Sequence, residues 1–323
     1  MTVLDLDLGP LRDTPEISVV TTLYRSEPFV REFHQRITRA LASLGCDYEI
    51  VFVDDGSPDA AAALVRELLA ADPRVTLVEL SRNFGHHYAA YAGLEHARGA
   101  LVYLTDVDLE EQPEWIEEFC RAQRESGADV VYGVQRRRSG GVFRRLSGSL
   151  FYRMFNRLSD VQIPSNVCTV RLMTREYVDA LRQVRDRNLF LAGSYAWAGY
   201  RQEALPVERR VRRAGTTYNV GRMASLFVNA ITSFTSYPLK LIFLLGTLIA
   251  ALAGILGAIV MVRKLAAPAT IELGWSSVVI SIWFLGGLNI AFLGVIGMYV
   301  GRIFNEVKDR PIYIIKKVTH GKG

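Results

Sequence analysis

Cysteine is scarce in this chain, which argues against a disulfide scaffold and against a cysteine-based metal site. The 323 residues contain three cysteines, Cys46, Cys120 and Cys168. Three thiols so far apart match no metal-ligand spacing, and they favour a reducing compartment in which they are buried and structural. The N-terminus also lacks the charged, apolar and small-residue regions of a secretory signal peptide. We therefore expect no secretion of this part of the chain.

Charge is missing from two long stretches in the C-terminal third. Residues 241–262 and 275–300 contain no Asp, Glu, Lys or Arg, and each can cross the ~30 Å hydrocarbon core of a bilayer as a helix. A pair of buried core helices is the alternative, but soluble helices of this length normally have a polar face. We therefore predict a two-helix membrane hairpin.

The basic residues around this hairpin predict its orientation. They are Lys240, Arg302, Lys308 and Arg310 at the outer ends, and Arg263 and Lys264 in the connecting loop. Because basic residues favour the cytoplasmic side, we expect both chain termini in the cytoplasm. The predicted location is the inner (plasma) membrane, with a multi-pass anchor and a cytoplasmic catalytic domain.

Two nucleotide-binding signatures are also absent. No G-x-G-x-x-G follows a strand-like segment and no Walker A sequence occurs, which argues against a dinucleotide-binding Rossmann domain. Instead, short apolar β-rich segments alternate with helical ones. The predicted strands are residues 17–22, 48–53, 75–80, 101–105 and 129–134. This alternation predicts an α/β domain with a mostly parallel sheet, in which ligands bind beyond the carboxyl ends of the strands.

Pairs of acidic residues follow two of these strands. Asp54 and Asp55 follow the second strand, and Asp106 and Asp108 follow the fourth. In an extended chain Asp106 and Asp108 point the same way, and hard oxygen ligands of this kind suit Mg²⁺ or Mn²⁺. A solvated acidic turn that caps the helix near Pro113 is the alternative. It accounts for Glu111 and Glu114, since acids favour a helix N-terminus, but not for Asp106.

An ordered set of motifs extends along most of the chain. The motifs are VDDGSPD (53–59), LSRNFGHHYAAYAGLEHARG (80–99), TDVDLEEQPE (105–114), IPSNV (163–167), RLMTREYVDAL (171–181) and GRIFNEVKDRPIYII (301–315). Together they resemble the polyprenyl-phosphate glycosyltransferases, family 2 enzymes related to dolichyl-phosphate mannose synthase. The resemblance implies a GT-A domain with a membrane hairpin. It also implies transfer of a sugar from a nucleotide diphosphate to a polyprenyl phosphate, with inversion at the anomeric carbon.

The resemblance also implies roles for individual residues. The donor-binding residues that it indicates are Thr21, Tyr24, Glu27, Asp54, Asp55, Arg82 and Asn83. Asp106 and Asp108 would hold the metal ion and the diphosphate, and they are the expected catalytic residues. Glu110 stands where relatives usually have glutamine, and it is either a third metal ligand or a surface acid. A turn role is an equal alternative for Arg82 and Asn83. A metal pair formed by the adjacent His86 and His87 is not expected.

The chain departs from the family pattern at two places. The first strand ends in TTLYRSE, where relatives commonly have Pro-x-Tyr-Asn-Glu, so Thr22 and Arg25 differ from the usual nucleotide-binding pattern. Before RLM, relatives often have Gly-Asp-Phe, whereas this chain has Cys168, Thr169 and Val170. The acid that could act as a base at that position is therefore missing.

Two arginine-rich segments predict the acceptor side. Residues 136–157 combine apolar residues at helical spacing with arginines, and residues 209–213 form a second basic cluster. A tether to the bilayer makes membrane lipid the nearer partner than nucleic acid. The arginines expected to bind the lipid phosphate are Arg137, Arg138 and Arg212.

The predicted organisation has five parts. These are an N-terminal extension (1–16), a GT-A catalytic domain (17–215), a juxtamembrane amphipathic segment (216–238), a transmembrane hairpin (239–302) and a cytoplasmic tail (303–323). The leading hypothesis is a metal-dependent, inverting glycosyltransferase that makes a polyprenyl-phosphate-linked sugar on the cytoplasmic membrane face. A homo-oligomer and a small membrane flippase are compatible partners.

Two other functions are compatible with the same domain. A processive polysaccharide synthase is the first, but such enzymes normally add a Gln-x-x-Arg-Trp motif and more membrane spans, which this sequence lacks. A non-catalytic membrane scaffold is the second. The presence of Asp54, Asp106 and Asp108 argues against a scaffold, and an assay of donor hydrolysis distinguishes it from an enzyme.

Overall fold

The computed structural model describes residues 14–135, 164, 166–184, 186, 191–208, 237–266 and 274–321. These residues divide between two compact units, one built on an eight-stranded sheet and one made of two long helices. The strands are β1 (Ile17–Leu23), β2 (Tyr48–Asp54), β3 (Val75–Leu80), β4 (Leu101–Leu104), β5 (Val130–Gln135), β6 (Val167–Thr174), β7 (Gln202–Val207) and β8 (Ile315–His320). Their spatial order is β7-β5-β6-β4-β1-β2-β3-β8.

Six helices accompany the sheet in the described part of the first unit. They are α1 (Val30–Leu44), α2 (Ala61–Ala71), α3 (His86–His96), α4 (Trp115–Ser126), α5 (Arg175–Leu181) and α6 (Leu191–Trp197). Strands β1 to β4 are mutually parallel where they pair, and β5 is parallel to β7. The expected mostly parallel α/β sheet is therefore confirmed, and each of the five predicted strands is present to within one residue at either end.

Apolar residues cover both faces of the sheet, which is why its central strands are predominantly hydrophobic. Successive strand residues point to opposite faces, so Val19 joins one buried cluster and Val20 joins the other. Phe33 of α1 and Phe119 of α4 fill the first cluster, and Tyr91 of α3 fills the second. Each of these side chains is at most 1% exposed. The core therefore holds the carboxyl ends of β1 to β4 along one edge.

The antiparallel strands β6 and β8 flank the four parallel strands β4, β1, β2 and β3. Strand β6 lies between β4 and β5, antiparallel to both. Strand β8 pairs antiparallel with β3, with Val78 opposite Val318. The sequence-based division places residues 303–323 in a tail, and within that range β8 covers the edge of β3, which would otherwise be unpaired. The five-part division itself stays a prediction.

The second unit contains two long helices, α7 (Tyr237–Ala266) and α8 (Trp275–Val307). They span both of the uncharged stretches noted in the sequence. Among the described residues, one helical stretch, Phe284–Val307, is long and apolar enough to cross a membrane, and Leu239–Ile249 is a shorter apolar helix. The two-span hairpin and the multi-pass anchor therefore stay predictions.

Several sequence-based expectations fall outside the described residues. The arginines expected to bind the lipid phosphate, Arg137, Arg138 and Arg212, are among them. So are the basic segments 136–157 and 209–213 and most of the juxtamembrane segment 216–238. The roles expected of these arginines and segments stay predictions.

Candidate active site

The candidate site lies where β1, β2, β3 and β4 end, because the next loop after each strand carries the polar residues. Two of these loops are fastened to each other. The backbone amide of Arg25, in the loop after β1, donates to the Ser57 hydroxyl at 2.7 Å, and the amide of Glu27 donates to Asp59 at 2.9 Å. In return, the Glu27 carboxylate accepts from the amide of Ala60 at 3.2 Å. Glu27, predicted to lie near the nucleotide, therefore joins two loops, and its donor contact stays a prediction.

Asp55 organises the loop that follows β3. Its two carboxylate oxygens accept hydrogen bonds from the backbone amides of Phe84 (2.7 Å) and Gly85 (2.9 Å) and from the Asn83 side chain (3.0 Å). The adjacent Gly56 has φ of +61°, and a Cβ there would lie 2.6 Å from the Arg82 carbonyl carbon. Only glycine permits this close approach between the two loops without strain. Asp55 and Asn83 are thus in contact, and their hydrogen bond helps to hold the loop after β3 in place.

Asp54, the last residue of β2, is the buried acid of the site. It is 6% exposed, and one carboxylate oxygen accepts from the amide of Ser57 at 3.1 Å. Burial raises the pKa of Asp54 to about 6, and the nearby carboxylates of Glu79 and Asp55 add to the rise. The Ser57 amide opposes it by stabilising the anion. A carboxylate held in this state is poised to accept a hydrogen bond from a ligand hydroxyl or base.

Tyr24, Arg82 and Thr21 differ in accessibility. Tyr24 is 46% exposed and lies beside the Arg25 guanidinium, whose carbon is 5.7 Å from the ring centre. Arg82 is also exposed, and its guanidinium carbon lies 4.4 Å from the centre of the Phe84 ring. Thr21, in contrast, is fully buried in β1. The first two side chains are open to a ligand, and the predicted donor contact of Thr21 stays a prediction.

The acidic motif after β4 lies in a turn. Strand β4 ends at Leu104, and the turn that follows contains Val107 and Asp108. The argument from alternation along an extended chain therefore does not apply, and a common direction of Asp106 and Asp108 stays a prediction. Val107 is 3% exposed, while Asp106 and Asp108 are both half-buried. The Glu110 amide donates to Asp108 at 3.0 Å, which fixes the orientation of that carboxylate.

These carboxylates fit a divalent cation through their donor chemistry. Asp106 and Asp108 supply hard oxygen ligands at an open strand end, and Mg²⁺ typically uses one or two protein carboxylates together with substrate phosphates. Within the described residues, no group of three or more His, Cys, Asp and Glu side chains is arranged to hold a metal ion. A site made of two carboxylates and donor phosphates suits this arrangement, and Glu110 as a third ligand stays a prediction.

Two residues of the site were not identified from the sequence. The His86 ring, at the start of α3, lies 3.0 Å from the Thr22 hydroxyl through Nδ1 and 3.7 Å from Asp106 Oδ1 through Nε2. The adjacency of His86 and His87 in the sequence suggests only a metal pair to test, and it does not indicate the contact between His86 and Asp106. The alternative of a solvated acidic turn predicts an exposed Glu111, whereas its side chain is 0% exposed. One of the groups that donates to Glu111, the backbone amide of Thr169, lies 58 positions along the chain, so no local pattern in the sequence indicates this contact.

Comparisons with known proteins agree with this architecture. Residues 18–182 match the family model described as glycosyl transferase family 2. A Mycobacterium tuberculosis protein named among the glycosyltransferases is 42% identical over 94% of this chain and 88% of its own length. The bactoprenol glucosyl transferase of Shigella flexneri is 35% identical over 95% of this chain and 99% of its own.

Among solved structures, the chain is similar to a mannosyltransferase from Pyrobaculum calidifontis in complex with GDP-Man and Mn²⁺. The identity is 20%, the TM-score is 0.42, and the match covers 91% of this chain and 87% of that one. The family model matches about half of the chain, and the curated relatives match nearly all of it. The chain therefore belongs to the family 2 glycosyltransferases, and it is a glycosyltransferase with a GT-A-type catalytic domain.

Proposed function

We propose that this enzyme transfers a hexose from a nucleotide diphosphate sugar to a polyprenyl phosphate on the cytoplasmic face of the membrane, with inversion at the anomeric carbon. The observation that carries the acceptor assignment is the similarity to the Shigella flexneri bactoprenol glucosyl transferase, which extends over 99% of that protein. Similarity over the full length includes the apolar C-terminal helices as well as the catalytic domain. Glucose is therefore the first sugar to test.

The geometry at the strand ends supports the donor half of this proposal. Asp106 and Asp108 would hold Mg²⁺ or Mn²⁺, which would offset the charge that develops on the departing diphosphate. Asp54 lies at the end of β2, where its carboxylate can accept a hydrogen bond from the ribose or the base. Tyr24 is exposed at the end of β1 and can cover the nucleotide. Asp55 and Glu27 keep the surrounding loops in place.

The acceptor chemistry explains how the enzyme could work without the missing acid near Cys168. A sugar hydroxyl must lose a proton to attack, so most inverting transferases need a positioned base. A phosphate monoester has a second pKa of about 6 and is mostly a dianion at neutral pH, so it is already a competent nucleophile. The enzyme then needs cations that orient the phosphate in line with the anomeric carbon, and the arginine fork suits this task. We assign it to Arg137, Arg138 and Arg212.

The apolar helices support the location. Helices α7 and α8 would form a two-span anchor, and the basic residues at its outer ends would keep the catalytic domain on the cytoplasmic side. A long-chain lipid phosphate would then be within reach of the active site at the membrane surface. A homo-oligomer and a flippase partner stay predictions.

The test uses the purified full-length chain in detergent with a polyprenyl phosphate, Mn²⁺ and a panel of UDP and GDP sugars. Mass spectrometry should detect one lipid product whose mass exceeds that of the acceptor by a hexose, and NMR should show a β linkage from an α-linked donor. If donor is consumed and free sugar appears with every lipid phosphate offered, the proposed acceptor is wrong. If no donor is consumed at all, the scaffold hypothesis gains support.

A further inference from the structure

Glu111 is a buried carboxylate next to the proposed metal-binding turn, which carries Asp106 and Asp108. It lies between β4 and α4, with an exposed fraction of 0%. The acid three residues later, Glu114, differs in exposure and in partner. Its side chain is 45% exposed and forms an ion pair with Arg36 at 2.7 Å. A carboxylate is costly to bury unless hydrogen bonds replace its water. The partners of Glu111 therefore indicate why an acid is present there.

The carboxylate of Glu111 joins two separate segments of backbone. Its Oε1 accepts a hydrogen bond from the backbone amide of Thr169 at 2.9 Å. Its Oε2 accepts from the backbone amide of Asp106 at 3.3 Å and from the hydroxyl of Thr105 at 3.4 Å. One side chain thus connects the exit of β4 with β6, across 58 positions of sequence.

The register of the sheet explains why Glu111 contacts these two backbone amides. Strands β4 and β6 are antiparallel, and the last pair of their ladder is Leu104 opposite Arg171. If the register continued, Asp106 would stand opposite Thr169, but β4 has already ended. The amides of those two residues donate to the Glu111 carboxylate. The side chain therefore takes the place of the ladder hydrogen bonds at the point where the metal-binding turn begins.

The β6 side of this connection is itself held in place. Arg171 is 5% exposed, and its guanidinium donates to the carbonyl oxygens of Thr169 at 3.1 Å and Cys168 at 3.4 Å. The same guanidinium lies over the ring of Tyr195, 3.5 Å from the ring centre. The backbone around Thr169 is therefore held in place. Because the amides of Thr169 and Asp106 both donate to Glu111, the Asp106 backbone is held against this fixed part of β6.

We propose that Glu111 is a positioning residue that fixes the Asp106 backbone against β6, so that the Asp106 carboxylate is preorganised for the divalent cation and the donor diphosphate. This inference rests on the proposed function, because it presupposes a cation at Asp106 and Asp108. In this proposal Glu111 is not a base that removes a proton from the acceptor. Its side chain is buried, and both of its oxygens accept hydrogen bonds from the protein.

The connection requires a carboxylate, which makes the proposal testable. A glutamine has one acceptor oxygen, so it can serve the Thr169 amide or the Asp106 amide but not both. The NH₂ group of the glutamine would face the other backbone N–H. An aspartate keeps the charge but is one methylene shorter, so it cannot reach both segments. Metal sites typically lose about 10- to 100-fold in affinity when such a supporting group is removed.

Two control variants separate positioning from loss of stability. Glu49 is also a buried carboxylate, 3% exposed, and it accepts from Ser18 at 2.6 Å and from Arg98 at 2.9 Å. It lies near the beginning of β2, at the opposite end of the strands from the site. Glu118 is an exposed acid in the first turn of α4. Glu49→Gln and Glu118→Gln therefore match the burial and the local charge of Glu111→Gln, respectively.

The experiment measures Mn²⁺ binding by the electron paramagnetic resonance signal of free Mn²⁺, with full-length protein in detergent and saturating UDP or GDP. We expect Glu111→Gln to raise the Kd for Mn²⁺ at least about 10-fold. Glu118→Gln should leave it unchanged, and Glu49→Gln should lower the Tm without weakening Mn²⁺ binding. If Glu111→Gln does not fold, Glu111→Asp should give the same loss of affinity.

Three outcomes overturn the inference. The first is a Kd for Glu111→Gln, or for Glu111→Asp in its place, within about twofold of the parent protein. The second is an equal loss of Mn²⁺ affinity in Glu49→Gln at an equal loss of Tm, which would indicate a general effect of stability. The third is the absence of Mn²⁺ binding by the parent protein, which would also remove the metal from the proposed function. The third outcome is thus distinguishable from the first two.

Discussion

The carboxylate of Asp55 accepts a hydrogen bond from the backbone amide of Phe84 at 2.7 Å. This contact joins the end of β2 to the loop after β3, and the amide of Gly85 adds a second contact at 2.9 Å. Burial raises the pKa of Asp55, and these two backbone amides partly offset the rise by stabilising the anion. The two consecutive acids therefore differ in role, because Asp55 holds the loop after β3 in place, whereas Asp54 is the residue proposed to contact the donor.

The first prediction concerns this loop. Asp55→Asn has one acceptor oxygen in place of two, so it leaves the amide of Phe84 or of Gly85 without its present partner. We expect a loss of about 1–3 kcal/mol in the free energy of unfolding and an increase of roughly 10-fold in the KM for the donor. Denaturant unfolding and steady-state kinetics measure the two effects. Asn83→Ala removes one of the three hydrogen bonds and should have a smaller effect, and equal effects would contradict the assignment.

The second prediction concerns Asp106 and Asp108, the proposed metal ligands. Asp108→Asn removes a charged ligand, and we expect kcat to fall by about 10²-fold or more because the cation matters most as the diphosphate departs. Excess EDTA should abolish turnover by the parent enzyme, and Mn²⁺ should restore it, whereas Mn²⁺ should not rescue the variant. Full turnover by the parent enzyme in excess EDTA would refute the metal-dependent mechanism.

The third prediction follows from the buried Asp54. Because its pKa is raised from 3.8 to about 6 in the folded protein, the folded state binds a proton more tightly than the unfolded chain. The contribution of this group to stability therefore falls as the pH rises from about 4 to about 6, and it stays low at neutral pH. Asp54→Asn removes this penalty, and the asparagine oxygen can still accept from Ser57. We expect a gain of about 1–2 kcal/mol at pH 7.5 and no gain at pH 4.

Denaturant unfolding of the parent protein and the Asp54→Asn variant between pH 4 and pH 8 measures this difference. The same variant should bind the donor more weakly, because a negative acceptor is lost. A variant that is less stable at pH 7.5 than the parent would show that the Asp54 anion is stabilised by the fold, contrary to the raised pKa.

The fourth prediction concerns strand β8. Deletion of residues 311–323 exposes the edge of β3 and removes Ile315 and Val318, which pack against the second buried cluster. We expect a decrease in Tm of at least about 5 °C and aggregation of the catalytic unit. The matched control deletes Lys322 and Gly323 alone, which leaves β8 intact. If the longer deletion has no effect, residues 303–323 are a tail, as the sequence-based division has them.

The fifth prediction concerns the acceptor. Alanine at Arg137, Arg138 or Arg212 should raise the apparent KM for the lipid phosphate about 10-fold or more and change the donor KM little, because a charge-assisted hydrogen bond to phosphate is lost. Arg121→Ala, an exposed arginine on α4, is the control for loss of positive charge. Thr169→Ala should be mild, since only its backbone amide bonds to Glu111. Unchanged lipid kinetics in all three arginine variants would refute this acceptor site.

The strands that the sequence predicts are those whose apolar residues form a short run. Strands β1 to β5 are short apolar runs, and burial by helices on both sides requires such runs. The sequence does not predict strand β8, because Lys316 and Lys317 interrupt its apolar pattern and its partner β3 lies more than two hundred positions earlier. Strand β7 contains Pro206, which is uncommon within a sheet. Strand β6 lies inside the sheet but was also not predicted, because Thr169 and Arg171 interrupt its apolar run. Local patterns therefore indicate the strands with continuous apolar runs and miss β6, β7 and β8.

The candidate site shows the same distinction. The acids at the ends of β2 and β4 could be expected from strand order alone, because ligands bind at that edge. The different tasks of Asp54 and Asp55 could not, since they depend on which backbone amides fold back on them. Glu111 resembles an ordinary acid at a helix start until its contact with Thr169 is known. Long-range hydrogen bonds thus determine roles that residue types leave open.

Acceptor selectivity tests the central claim most directly. The purified enzyme, with Mn²⁺ and its donor, is offered a polyprenyl phosphate and the matching polyprenol, and the rates of formation of the two lipid products are compared by mass spectrometry. A phosphate dianion needs no base, whereas the alcohol does, so we predict product from the phosphate at a rate at least about 10²-fold higher. Equal rates, or a faster reaction with the polyprenol, would contradict transfer to a lipid phosphate and would require a catalytic base.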